Sequence, residues 1–151
     1  MDHLKYALAI IKKYEGLRLR AYLCPAGVWT IGYGSTRINN REVQEGDVCT
    51  ADEAEEMLIE TLSRLRFSVR KMVGTELKDH EFQALYSLVY NIGLGNFQKS
   101  SLLILLKAGA PEKICALEFP RWNKSKGKVL AGLITRRKEE QDLFLYGPGQ
   151  Q

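Results

Sequence analysis

An acid, a thiol and a hydroxyl group occur close together near the start of the chain, at Glu15, Cys24 and Thr30. A partly buried carboxyl group tends to stay protonated, and it can then donate a proton to a leaving oxygen. A nearby thiolate can attack carbon, or can orient a water molecule together with a hydroxyl group. These residue types are therefore suited to general acid catalysis of a hydrolytic or group-transfer reaction.

The predicted helix that carries the acid is amphipathic. Apolar side chains recur at helical spacing from Leu4 to Ile11, and Glu15 is the next member of that series. Gly16 follows, and glycine ends helices readily because it accepts the left-handed conformation. We therefore expect Glu15 at a helix end, on the edge of a cleft. An ion pair between Glu15 and an arginine would also explain its position without any chemical role.

The pattern changes from helical to alternating after Gly16. The segment 28–33 has the alternation of a strand, in which Thr30 faces away from Trp29 and Ile31. Turn-forming residues at 24–27 predict a hairpin with Cys24 near its tip and Thr30 on the returning strand. The helix end and the hairpin would together form one wall of a cleft.

Length and composition favour one compact unit of 151 residues. The longest apolar run, at 102–106, is too short to cross a bilayer, and residues 1–13 lack the features of a secretory signal. We therefore expect the chain in the cytosol when it is made. The 3 cysteines and 2 histidines have no metal-ligand spacing and predict no disulfide framework. We expect neither a metal nor another cofactor.

The net charge is +4, and the basic excess is concentrated near the C-terminus. Basic residues without any intervening acid are Arg121, Lys124, Lys126, Lys128, Arg136, Arg137 and Lys138. Such a segment favours a polyanion, and nucleic acid, anionic lipid and bacterial cell wall are candidates. No nucleic-acid-binding motif supports the first of these. Taken by itself, the segment is better explained as a solvated face balanced by acidic residues at 51–60.

The rest of the chain is predicted to be mainly helical. Thr50 and Glu53 have the spacing of a capping box ahead of a helix of about six turns, which Gly74 would end. Asp79 is the expected cap of the next helix. Ser100 or Ser101 would begin a short apolar helix, and further helices are expected at 111–118 and about 130–145.

The spacing of Glu15, Cys24 and Thr30 resembles the catalytic region of phage-type lysozymes, the endolysins of glycoside hydrolase family 24, in which the middle position is usually Asp. The resemblance continues through ordered segments over nearly the whole chain: 83–93, 95–103, 119–122 and 130–140. It implies an α+β, predominantly helical, lysozyme-like fold in a single domain, 1–151. The hairpin lobe would cover about 16–50, a linking helix about 51–73, and a helical lobe about 76–146 together with the N-terminal helix.

The same resemblance implies an endolysin-like muramidase. Its substrate would be bacterial peptidoglycan, cut at the β-1,4 bond between N-acetylmuramic acid and N-acetylglucosamine. Glu15 would be the general acid, and Cys24 and Thr30 would position or activate water. The implied substrate-binding residues are Thr36, Tyr90, Asn91 and Ser101. Arg136 or Arg137 would hold the Glu15 carboxylate.

An endolysin of this kind is expected as a monomer in the host cytoplasm before release. It would act in the periplasm or cell wall once a holin permeabilises the membrane. We expect neither nucleic-acid binding nor stable insertion into the membrane.

Cysteine in place of the usual Asp leaves the mechanism open. A free thiol has a pKa near 8.5, so Cys24 needs help to ionise, and Arg18 and Arg20 are near enough in sequence to give it. An inert, small buried cysteine is the alternative. Without a second acid, a lytic transglycosylase that uses Glu15 alone is also consistent with the sequence. A non-catalytic cationic cell-wall-binding or membrane-disrupting protein, acting through residues 121–138, is a further hypothesis.

Overall fold

Helices make up most of the chain in the computed structural model, which describes residues 2–149. The helices are α1 (Lys5–Glu15), α2 (Ala51–Val73), α3 (Asp79–Ile92), α4 (Leu94–Gln98), α5 (Ser101–Lys107), α6 (Glu112–Ala116) and α7 (Ala131–Tyr146), with 3₁₀ turns at Asp2–Leu4 and Phe119–Arg121. The strands are β1 (Arg18–Leu23), β2 (Trp29–Gly32), β3 (Arg37–Ile38), β4 (Arg41–Glu42), β5 (Lys124–Ser125) and β6 (Lys128–Val129). The predicted α+β, predominantly helical fold is confirmed.

The strands of the described chain pair as antiparallel hairpins: β1 with β2, β3 with β4, and β5 with β6. The β1–β2 hairpin is irregular, because its register shifts between Arg18 and Tyr22. A bulge of this kind increases the local twist of a strand. The hairpin that follows α1 is therefore a bent ribbon.

Helix α3 forms the centre of the core. It packs against α1, α2 and α7, and it is buried along most of its length. The largest fully buried apolar side chains include Phe82, Leu85 and Leu88 of α3. Burial of such a side chain contributes about 1.5–3 kcal/mol to stability. The same packing fixes the C-terminal end of α3 against α1 and α7.

The caps of the longer helices test the sequence prediction closely. The Thr50 hydroxyl accepts the Glu53 N–H at 3.1 Å, and Glu53 accepts the Thr50 N–H at 2.9 Å, so the capping box is confirmed. The prediction for Asp79 is wrong, because it is the first residue inside α3. Glu81 instead accepts the N–H of Lys78, the residue before the helix, at 2.7 Å.

None of the helices in residues 2–149 combines the length and the apolarity that a membrane crossing requires.

Candidate active site

Glu15 is the last residue of α1, as its sequence position predicts. The helix ends there because Gly16 adopts a positive φ of 71°, a conformation that glycine reaches without steric cost. The Glu15 side chain is 25% exposed, while the apolar side chains that precede it on the same stripe are buried. The carboxylate therefore lies at the boundary between the core and solvent.

Arg136 of α7 holds one oxygen of this carboxylate. Its Nη1 donates to Glu15 Oε1 at 2.8 Å, and its side chain is only 3% exposed. The same guanidinium group donates to the Ser87 carbonyl oxygen at 3.1 Å and to Glu140 Oε2 at 3.3 Å. The orientation of Glu15 is thus fixed from the protein interior by Arg136 rather than by Arg137.

Arg137 has a different partner. Its Nε lies 2.6 Å from Glu140 Oε1, and both side chains are fully buried. Its Nη1 donates to Asn91 Oδ1 at 2.9 Å and to the Trp122 carbonyl oxygen at 3.3 Å. A solvated face is therefore the wrong interpretation for this part of the basic segment. The acids that balance Arg136 and Arg137 are Glu15 and Glu140, neither of which lies in the acidic stretch at 51–60.

A cleft of about 620 Å³ opens beside Glu15. Its walls come from the loop after β2, the β3–β4 hairpin, α2 and the end of α3. Of the predicted site residues, Glu15, Thr36, Tyr90 and Asn91 line it. Further polar residues of the lining, which no sequence motif marks, include Arg37, Asn39, Asn40, Glu60, Thr61, Arg64 and Ser68. No local pattern marks them, because they converge only through the packing of α2 against the hairpins.

The loop after β2 approaches the acid closely at Gly34. This residue has a φ of 97°, and a Cβ atom added there would lie 3.4 Å from the Tyr90 hydroxyl oxygen and 3.7 Å from Glu15 Oε2. Tyr90 donates a hydrogen bond to the Tyr33 carbonyl oxygen at 2.6 Å. Burial raises the pKa of Tyr90 well above its usual value, so the phenol remains a donor. Glycine thus leaves space beside the unpaired side of the carboxylate.

Cys24 and Thr30 are neighbours at the far end of the β1–β2 hairpin. The pKa of the half-buried Cys24 thiol is lowered, chiefly by the backbone N–H groups of Val28 and Ala26, with a further contribution from the Thr30 side chain. The Thr30 hydroxyl donates to the Val28 carbonyl oxygen at 2.9 Å. The turn backbone therefore favours the thiolate.

The arginines that were expected to favour the thiolate do not do so. The guanidinium group of Arg18 lies over the ring of Tyr22, 4.6 Å from its centroid. Neither Arg18 nor Arg20 contributes to the lowered pKa of Cys24. Backbone N–H groups in a turn have no sequence signature of their own, so the sequence could not identify them.

The structure does not bring every predicted residue into the cleft. Among residues 2–149, Cys24, Thr30 and Ser101 are not part of the cleft lining. Thr30 lies on β2, and Gly34 of the cleft wall follows the last residue of that strand by two positions. Ser101 lies at the start of α5, outside the described cleft lining. The Ser100 hydroxyl accepts the Leu103 N–H at 3.1 Å and begins α5, which leaves Ser101 exposed in its first turn.

Within the described part of the chain, no group of three or more His, Cys, Asp or Glu side chains could hold a metal ion. The groups at this site that could take part in a reaction are the carboxylate, thiol and hydroxyl groups described above.

A predominantly helical α+β fold with an arginine-held acid at a cleft defines a lysozyme-like protein. The family model for phage lysozyme matches residues 12–140, and the chain belongs to this family. It is 43% identical over 140 residues to the endolysin of Bacillus phage PZA, a match that covers 91% of this chain and 53% of that one. It is 42% identical over 141 residues to the endolysin of Acyrthosiphon pisum secondary endosymbiont phage 1, covering 91% and 93% respectively.

A solved structure gives the same result. The muramidase domain of SpmX from Asticaccaulis excentricus superposes with a TM-score of 0.82 at 36% identity, covering 92% of this chain and 94% of that domain. The chain thus spans about half the length of the PZA endolysin and nearly all of the other two proteins.

Proposed function

We propose that this protein is an endolysin-like muramidase, which hydrolyses the β-1,4 bond between N-acetylmuramic acid and N-acetylglucosamine in bacterial peptidoglycan. The observation that carries this proposal is the Glu15 carboxylate, held by the buried Arg136 at the wall of a cleft. Similarity to two endolysins and to a muramidase domain supports the choice of substrate.

Glu15 is the proton donor in this scheme. Arg136 bonds Oε1, so Oε2, beside Gly34, remains for the proton that passes to the glycosidic oxygen. Proton donation from a positioned side chain typically accelerates such a reaction by about 10²–10⁴-fold. The ion pair with Arg136 also fits a purely structural role for Glu15, and Glu15→Gln separates the two roles because glutamine keeps an acceptor for Arg136 but cannot supply the proton.

Cys24 and Thr30 would act on water. An inverting glycosidase has a second group that activates water on the opposite sugar face, about 6.5–9.5 Å from the acid. The lowered pKa of Cys24 supports a thiolate in this role, and Thr30 beside it would orient the water. Attack by the thiolate on the anomeric carbon would instead give a retaining course.

Substrate contacts are assigned to the cleft walls. Thr36, Tyr90 and Asn91 line the cleft together with Glu15, and we propose that they bind the glycan. Ser101 is not included, because it lies outside the cleft.

A lytic transglycosylase is the second candidate, and a specific observation favours it. Glu15 lines the cleft without Cys24 or Thr30 among the described lining residues. In a transglycosylase, Glu15 would work alone, and the product would be a 1,6-anhydro sugar formed without addition of water.

Mass spectrometry of muropeptides distinguishes these reactions. The wild-type protein should release reducing-end products that have gained one water per cut, whereas a transglycosylase would release anhydro products of lower mass. Cys24→Ala should greatly slow the hydrolytic reaction. Failure of the wild-type protein to release any product would instead support a non-catalytic cell-wall-binding protein.

The similarity to endolysins also leads us to propose a biological setting. The protein would accumulate as a monomer in the host cytoplasm and reach the periplasm or cell wall through a holin-dependent lesion. A lysis assay in cells that express the protein with and without a holin tests this route, since lysis should require both.

A further inference from the structure

Most of the basic residues between Arg121 and Lys138 have acidic partners within the protein. Arg121 pairs with Glu118 at 2.9 Å, and Lys138 pairs with Asp142 at 2.8 Å. Arg136 and Arg137 are buried against Glu15 and Glu140, as described above. Arg121 and Lys138 are thus partly neutralised on the surface, and Arg136 and Arg137 are withdrawn from it.

The lysines that remain lie together on one small element. We call residues Lys124–Val129, which comprise β5, β6 and their turn, the basic hairpin. Lys124, Lys126 and Lys128 are exposed, and within residues 2–149 none of them has an acidic partner at ion-pair distance. The charge that the sequence spreads over residues 121–138 is thus concentrated here.

The lysine side chains of the basic hairpin lie on both of its faces and at its turn. Lys124 pairs with Val129 and Ser125 pairs with Lys128, so Lys124 and Lys128 lie on opposite faces. Lys126 is at the turn, where it has a φ of 51° before a φ of 78° at Gly127. Both positive values are typical of the tight turn that joins hairpin strands. A flat membrane would meet only one face, whereas a flexible anionic chain can wrap around the hairpin.

Hydrogen bonds join the basic hairpin to the cleft wall. The Leu130 N–H donates to the Asn123 carbonyl oxygen at 3.1 Å and closes the base of the hairpin. Arg137 Nη1 bonds both the Trp122 carbonyl oxygen, just before that base, and Asn91 in the cleft wall. The base of the basic hairpin is therefore connected to the cleft wall through a single arginine side chain.

We propose that the basic hairpin binds the carboxylate groups of the peptide stems on the glycan strand. This inference rests on the proposed function, because it takes peptidoglycan as the polymer in the cleft. The stems are flexible and end in carboxylates, which complement three exposed ammonium groups without a partner. The lysines would select peptide-bearing strands by charge while the cleft binds the sugars.

Equilibrium binding tests the proposal without depending on cleavage. The probe is soluble peptidoglycan fragments freed of teichoic acid, with their stems intact or removed by an amidase. In a Glu15→Gln background, changing Lys124, Lys126 and Lys128 together to Gln should raise the Kd for stem-bearing fragments about five- to tenfold, as expected for exposed charge contacts. The Kd for stripped strands should not change, and added salt should weaken only the binding of the parent protein to stem-bearing fragments.

The matched control changes the same amount of charge elsewhere. Lys99, Lys107 and Lys113 are exposed lysines of the helical region, and their joint change to Gln should leave both Kd values unaltered. The proposal would be overturned if the two triple variants changed the Kd values equally. It would also be overturned if the hairpin variant changed the Kd for stripped strands as much as that for stem-bearing fragments, or left the Kd for stem-bearing fragments unchanged. Loss of binding to anionic phospholipid vesicles alone would also overturn it, in favour of a membrane surface. Failure of the proposed hydrolysis is seen separately, as an absence of cleavage products from the wild-type protein.

Discussion

Glu15 occupies an unusual position for a carboxylate, at the end of an apolar helical stripe and in contact with an almost fully buried guanidinium group. The interaction fixes Oε1 and leaves Oε2 toward the loop at Gly34. The geometry thus orients the carboxylate without enclosing it. The proposed proton donor needs such access, because it would exchange a proton with substrate and water.

The role of Cys24 is tested by the pH dependence of activity. The turn lowers the thiol pKa, so a reaction that needs the thiolate should speed up as pH rises through that pKa. In Cys24→Asp the rising limb of kcat/KM should move to lower pH, because a carboxyl group ionises near pH 4. Cys24→Ser stays neutral and should be slow, with no such limb. Identical profiles in the wild-type and Cys24→Asp proteins would show that residue 24 does not supply the base.

The close approach at Gly34 predicts that an added methyl group there impairs catalysis. Gly34→Ala would place a methyl group against Tyr90 and Glu15, and we expect kcat/KM to fall at least about tenfold, as small misplacements in active sites do. Gly46→Ala is the matched control, because Gly46 has a similar φ of 90° with nothing within 4 Å of the added Cβ. Both variants place alanine at a positive φ, so equal activities would contradict a special role for the space beside Glu15.

The sequence predicts the position of Glu15 at a helix end. It does not predict which groups form hydrogen bonds with Glu15 and Cys24. The stripe that ends at Gly16 was enough to place the acid at a helix end. The choice between Arg136 and Arg137 depended on the rotation of α7 against α1, which no local pattern encodes. The Val28 and Ala26 N–H groups beside Cys24 were missed for the same reason.

Helix α7 connects the candidate active site to the core. Glu140 is fully buried and accepts hydrogen bonds from Arg136, Arg137 and the Ser87 hydroxyl. Burial lowers the pKa of Arg137, and the adjacent Glu140 carboxylate opposes that shift. The ion pairs of α7 therefore stabilise the helix and hold the residue that orients Glu15.

Removing the buried acid should be far more costly than removing an exposed one on the same helix. Glu140→Gln leaves buried guanidinium charge uncompensated, and we expect it to lower the free energy of unfolding by about 3–5 kcal/mol. Asp142→Asn breaks the exposed pair with Lys138 and should cost less than about 1 kcal/mol. Urea denaturation of the two variants measures the difference, and similar small losses would mean that Glu140 is not needed to balance the arginines.

Long elements were predictable and short ones were not. The capping box at Thr50 and the glycine at 74 defined α2 almost to the residue, since caps and periodicity agree there. The β3–β4 and β5–β6 hairpins have strands of two residues, too short for any alternation to appear. Residues 37–40 of the cleft lining and the whole basic hairpin lie on these elements, so the sequence could not predict them.

At the scale of the molecule, the cleft lies where the hairpins and α2 meet α3. The chain has 2 tryptophans, Trp29 in the β1–β2 hairpin and Trp122 beside α7. We propose that both regions unfold together as one domain, because α2 packs against β2 as well as α3. The Trp29→Phe and Trp122→Phe variants each leave a reporter in the other region. Each should have the same urea midpoint by fluorescence as by far-UV circular dichroism, whereas separate midpoints would show independent units.

The central claim is that Glu15 donates the proton that cleaves peptidoglycan, and Glu15→Gln tests it most directly. Steady-state cleavage of purified peptidoglycan by this variant should show kcat/KM lowered by about 10²–10⁴-fold, while its far-UV circular dichroism at the assay temperature stays that of the folded wild type, because the substituted amide still accepts a hydrogen bond from Arg136. Wild-type cleavage rates in a folded Glu15→Gln protein would contradict the account.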